Sequence, residues 1–200
     1  MDSSDTGRDV MTRIAQLYEH AGQRPPGASR ETITALEQAL QCAQLAEWAG
    51  ADGPLVAAAL LHDIVMVAKS GASAGSSPAR PDPVAQDLLR GAFGTEVLEP
   101  IRLHAAAQRY LLATEPGYLN ALPEGAVAAA SRQPPMSEAE QQRFEDEPFA
   151  PQAVLLRRWI DAEKMPGKPT PSLDYYLALL EEVRERPRAV PRSVVGALDV

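Results

Sequence analysis

His62 and Asp63 stand side by side at the end of the apolar run 55–61. An imidazole beside a carboxylate in a buried setting suits metal ligation, or acid–base chemistry in which the carboxylate orients the ring. Further along, Val97, Ile101, His104, Gln108 and Leu111 recur at spacings of three or four, so His104 and Gln108 share an apolar helical stripe and are expected to point inward. A second stripe, Ala35, Gln38, Cys42, Leu45 and Ala49, turns Gln38 inward too, where a glutamine needs hydrogen-bond partners. A third, Ala153, Leu156 and Ile160 with Glu163 or Lys164, makes Ile160 the core residue. Arg157 and Asp161 then fall on another face as an i,i+4 pair, with Asp161 expected as a surface salt-bridge partner.

The remaining polar and aromatic residues call for simpler roles. His20 lies at a helix C-terminus, where the macrodipole favours a cation. Cys42 is expected as a small buried hydrophobe, Trp48 and Trp159 as core or groove fillers, and Glu145, Asp146 and Glu147 as solvated surface.

These side chains must be held by helices, because periodicity near 3.6 dominates and β-branched residues form no useful alternating runs. The spacing predicts an all-α bundle. A first helix covers Gly7 to His20 and is ended by the Pro25-Pro26 segment; a second runs from Glu31 to Ala49, with Ser29 as cap and Gly50 as stop. Gly53-Pro54 opens a third that ends a little after Asp63, with Pro54 near the first helical position. Residues 70–83, rich in Ser, Gly, Ala and Pro, read as a mobile loop. Thr95 is expected to cap a helix to Ala113 with Pro100 near its start, and Ser137 with Glu140 forms a capping box for the next. Helices at Pro151 to Glu163 and Ser172 to Arg184 follow. Residues 1–6 and 187–200 read as loose tails of a single domain spanning 1–200.

Composition narrows the classes. A formal charge of −8, from 19 basic and 27 acidic residues, has the wrong sign for a nucleic-acid partner. The lone Cys42 excludes a disulfide framework and a thiolate cluster within the chain and fits a reducing compartment. The polar N-terminus has no apolar signal region, and the apolar run broken by His62 and Asp63 is too short to span a bilayer, so a cytoplasmic location without membrane association is expected.

Five ordered blocks carry a family resemblance: Ala-Leu-Glu-Gln38-Ala-Leu-Gln-Cys-Ala; Ala-Ala-Leu-Leu-His62-Asp63-Ile; Glu-Pro-Ile-Arg-Leu-His104-Ala-Ala-Ala-Gln108; Pro-Pro-Met136-Ser-Glu; and Arg-Trp159-Ile160-Asp161-Ala-Glu-Lys164. In these the chain resembles the HD-domain proteins, in the branch of the mixed-valent di-iron oxygenases of organophosphonates and their relative myo-inositol oxygenase. The resemblance implies an HD-domain helical bundle and a metal centre in which His62, Asp63 and His104 match ligands. It also implies histidine at Gln38, a histidine where the chain has Pro81-Asp82, and aspartate at Ile160. In the substrate region it implies lysine at Gln108 and a Gln-Gly-Gly-Pro-Met segment where the chain has Arg132 to Met136. Glu31 matches a family acidic residue, while a tyrosine three residues earlier appears as Ala28.

A di-iron site typically shares roughly six protein side chains, and the matched set here is three. No metal or other cofactor is therefore expected; if an ion binds, iron held by His62, Asp63 and His104 is the reading the ligand chemistry allows. The leading expectation is a descendant of the oxygenases that binds a small molecule, or performs acid–base catalysis on it, without metal. His62, Asp63, His104 and Glu31 are the catalytic candidates; Gln38, Gln108, Arg109 and Arg132 are the binding candidates. The alternatives are a mononuclear-iron oxygenase and a pseudoenzyme that acts through a protein partner. Phosphohydrolase activity is the weakest reading, since it too needs the ligands replaced at Gln38 and Ile160.

Overall fold

The computed structural model describes residues 3–21, 33–71, 89–162 and 164–185. Within them every regular element is a helix: α1 Ser3–Ala21, α2 Ala35–Trp48, α3 Gly53–Leu61, α4 Ile64–Gly71, α5 Thr95–Thr114, α6 Tyr118–Ala121, α7 Glu124–Ala130, α8 Glu138–Glu145, α9 Ala150–Asp161 and α10 Leu173–Glu185. The all-α expectation holds. No helix among the described residues is long and apolar enough to cross a membrane.

Helix α3 organises the bundle. It is apolar all round, and Leu55, Val56, Ala57, Ala58, Ala59, Leu60 and Leu61 are all buried, so it must be covered on every side. Helices α2, α5, α9 and α10 provide that cover, and α1 packs along α4. Asp52 starts α3 by accepting the Leu55 N–H at 3.0 Å, with Pro54 in the first turn where its missing donor costs nothing. The helix stops at Leu61, earlier than the sequence suggests. His62 and Asp63 form a turn, and the Asp63 carbonyl then accepts the N–H groups of Met66 and Val67 to open α4. The central helix thus delivers the His-Asp pair to the interior.

Other boundaries are shifted for identifiable reasons. Helix α2 begins at Ala35 because Thr34 and Glu37 close a capping box, and its end is set by Gly50 at φ 74°. Thr95 lies inside α5; Gly94 precedes it without a side-chain cap. The capping helix start at Ser137 is present, with the Glu140 carboxylate accepting both the Ser137 N–H and hydroxyl at 2.9 Å. Trp48 departs from expectation: it is 67% exposed, beneath the Lys168 ammonium 5.0 Å from its ring. It is the last residue of α2. Trp159 and Cys42 are buried as expected. His20 is the C-terminal residue foreseen, its Nδ1 2.6 Å from the Gln16 carbonyl oxygen. Residues 3–6 of the expected tail 1–6 are helical, as the first turn of α1, and residues 70–71 of the expected loop 70–83 close α4; residues 1–2, 72–83 and 187–200 and Ser29 lie outside the described residues.

Candidate active site

His62 and His104 meet in the interior, their ring centroids 6.1 Å apart and their planes at 86°. His62 is anchored: its Nδ1 donates to the Ala59 carbonyl at 2.9 Å, leaving Nε2 as the bare nitrogen. That Nε2 and the Nδ1 of His104 are both buried without a hydrogen-bond partner. Burial pushes both imidazoles down to about 4, and the nearby charge of Arg157 pushes the same way, so both rings are neutral near pH 7. Asp63 is half-buried, and desolvation raises its carboxyl above the ordinary range.

The acidic residue at the end of α9 overturns the surface assignment. Asp161 is buried, its side chain 5% exposed, and Arg157 is nearly as enclosed at 13%. Asp161 Oδ2 accepts from Arg157 Nε at 2.8 Å, Oδ1 accepts from Arg157 Nη2, and the Tyr118 hydroxyl donates to Oδ2. This is a two-pronged guanidinium–carboxylate pair closed by a phenol. Ile160, the position expected to be core, is only partly buried and packs at the edge of the core. Lys164 does not reach inward as a free cation; its Nζ donates to the carbonyls of Trp159 at 2.5 Å and Ala162 at 2.8 Å, capping α9.

The binding candidates separate in space. Gln108 is buried, one turn beyond His104, and its Oε1 accepts from Gln133 at 3.4 Å. Gln38 is only half-buried; the glutamine that α2 drives inward is Gln41, whose amide pairs with the Met165 backbone at 2.7 and 3.0 Å. Arg109 is consumed by Glu140 at 2.8 Å and the Pro134 carbonyl at 2.9 Å, and Arg132 is exposed. Glu31 lies outside the described residues. Sequence reasoning missed the Tyr118 and Arg157 contribution. The Arg157–Asp161 spacing was visible, but nothing in the sequence links Tyr118 to it.

Bare imidazole nitrogens are the donors a metal would use, with His62 already oriented through its other nitrogen. Among the described residues, however, no group of three His, Cys, Asp or Glu stands close enough to hold a metal ion. The buried carboxylate of Asp161 is occupied by Arg157. The described donors do not by themselves make up a di-iron centre.

An all-helical bundle with a His-Asp turn buried at the end of its central helix defines the HD class. Sequence comparison takes this further. The chain is 35% identical over 178 residues to a hydroxymethylphosphonate dioxygenase of Gimesia maris, covering 86% of this chain and 89% of that protein. It is 28% identical over 160 residues to a [1-hydroxy-2-(trimethylamino)ethyl]phosphonate dioxygenase (glycine-betaine-forming) of Leisingera caerulea, covering 78% and 82%. An uncharacterized protein of Acanthamoeba polyphaga mimivirus is 31% identical over 177 residues, covering 84% and 79%. No protein-family model matches the chain. By these relatives the chain belongs to the HD-domain phosphonate oxygenase family.

Proposed function

We propose that this protein is an oxygenase-derived HD-fold protein that binds a small molecule without metal, with His62 and His104 as hydrogen-bond acceptors and candidate bases. The observation that carries this reading is the pair of neutral imidazoles whose buried atoms, His62 Nε2 and His104 Nδ1, have no partner. An unpaired polar atom in the interior typically costs about 1–3 kcal/mol, and a ligand hydroxyl or ammonium would relieve that cost at two points. Asp63 beside His62 adds a carboxyl whose raised pKa suits proton exchange. Gln108, with no charge of its own one turn beyond His104, favours a ligand group that is not strongly anionic at that end.

The family supports a competing reading, in which His62, Asp63 and His104 hold one iron for oxygen chemistry. The specific observation in its favour is the same pair of bare nitrogens. Elemental analysis separates the two. Protein purified without chelator or affinity-tag metal, then incubated anaerobically with ferrous iron and desalted, is expected to retain far less than one iron per chain. Near-stoichiometric iron that is lost in His62→Ala would overturn the metal-free reading and establish the mononuclear one. In the metal-free case, ¹⁵N NMR of the imidazoles is expected to show perturbation of both His62 and His104 by hydroxylated or amino-substituted phosphonates. Absence of any perturbation across that panel would count against ligand binding at this site.

A further inference from the structure

The ion pair at the end of α9 explains why two well-presented imidazoles would lack a metal. This step rests on the metal-free reading above. A buried carboxylate without a counter-charge is costly, and a bound metal is one way to supply that counter-charge. Here Asp161 is supplied by the protein itself: both its oxygens are engaged by the Arg157 guanidinium and one also by the Tyr118 hydroxyl. Arg157 lies on α9, which packs against both α3 and α5, the helices that lead to His62 and carry His104. Its positive charge is felt at both rings, and the negative charge of Asp161 reaches His104.

We propose that Arg157 is a built-in cation of this site: clamped by Asp161 and Tyr118, it holds the electrostatic place of a metal ion and keeps divalent cations off His62 and His104. Two features make the clamp effective. The guanidinium is planar, stays charged at all accessible pH, and matches the carboxylate with two parallel bonds. Both partners are almost fully enclosed, so solvent screens their fields poorly. A divalent ion at the bare nitrogens would therefore find the enclosed Asp161 carboxylate already committed to a fixed cation. Arg157 acts here as a positioning residue, through field and through its hold on Asp161.

The test is titration of the full chain with Mn²⁺ and Zn²⁺ by calorimetry, with Tm read alongside. Arg157→Gln removes the charge and frees Asp161, and is expected to bind at least about tenfold tighter than wild type. Its Tm should rise on metal addition, and the gain should vanish with His104→Ala. Arg157→Lys keeps the charge but gives up the two-pronged match to Asp161, and is expected to bind metal more weakly than Arg157→Gln. A folded Arg157→Gln with wild-type metal affinity would overturn the proposal. Should that variant unfold, Arg157→Gln with Asp161→Asn removes both charges together, and tighter binding or metal-dependent folding in either variant supports the proposal. Unchanged affinity in the double variant, or unfolding of both with and without metal, would show a purely structural tie. Wild-type protein that already holds one metal at these histidines overturns the reading of the preceding subsection. Metal-free wild type with an unresponsive Arg157→Gln overturns this one alone.

Discussion

At the scale of single residues, the site turns on which polar groups are buried and which are answered. His62 and His104 were legible from the sequence, one by its place beside Asp63 and the other by sharing a stripe with Val97 and Leu111. Asp161 was not, because a helix closely covered by neighbours buries more than one stripe. On α9 the buried positions include Ala150, Ala153, Leu156, Trp159 and Asp161, a face too broad for a single 3.6-residue line to describe. Hydrophobic periodicity also places any aspartate outside by default, and only the tertiary partner Tyr118 reverses that. The neutral histidines make stability depend on pH. Both have folded pKa values near 4 against 6.5 for the free side chain, so the unfolded chain binds more protons in that interval. The contribution is fully present above about pH 6.5 and is lost as pH falls towards 4, the usual direction for a depressed pKa. Urea unfolding free energy is expected to drop by on the order of a few kcal/mol from pH 7 to pH 4.5. The slope between those values should flatten in His62→Phe, and an unchanged slope would mean that His62 takes up its proton equally readily in the folded and unfolded chain.

At the scale of elements, starts and stops were readable wherever a local hydrogen-bonding rule fixes them. Gly50 was identified as the end of α2, and it occupies the left-handed region at φ 74° while the Ala51 N–H reaches back to the Ala46 carbonyl at 3.0 Å. The start of that helix was misplaced, although the signal was present: Thr34 followed by Glu37 is the same pattern that correctly located Ser137 and Glu140. The break between α3 and α4 was harder to place. No glycine or proline interrupts residues 55–68; the break comes from the Asp63 carbonyl capping a new helix. Gly50 offers a clean measurement, because a Cβ there would meet nothing within 4 Å. Any cost of Gly50→Ala is therefore backbone strain alone, expected at about 1 kcal/mol. Chemical denaturation should show that loss with no change in the denaturant slope. A neutral or stabilising result would mean that the α2 end relaxes away from the left-handed turn.

At the scale of the molecule, the expectation of one domain amounts to a statement about how the helices share their cores. One cluster joins Ile14 and Tyr18 of α1, Cys42 of α2, residues 55–61 of α3, Leu156 and Trp159 of α9 and Tyr176 and Leu180 of α10, so α1 and α10 share one core with the central helix. Two smaller clusters lie along α5 and towards α6 and α7, and Val154 of α9 packs against both. Helix α9 is thus common to all three, and it also carries Arg157 and Asp161. If the chain unfolds as one unit, the site cannot open without disrupting the main core. The two tryptophans allow this to be measured: Trp48 is exposed and can be replaced by Phe at little cost, leaving the buried Trp159 to report on the main core. In Trp48→Phe, the fluorescence of Trp159 and the far-UV circular dichroism of the whole bundle are expected to give the same urea midpoint. A dichroism loss that precedes the fluorescence change would show the α5–α8 region melting first. The ion pair at the end of α9 would then be held by a rigid core on one side and a yielding one on the other, and ligand access to His104 would follow local opening of that weaker side.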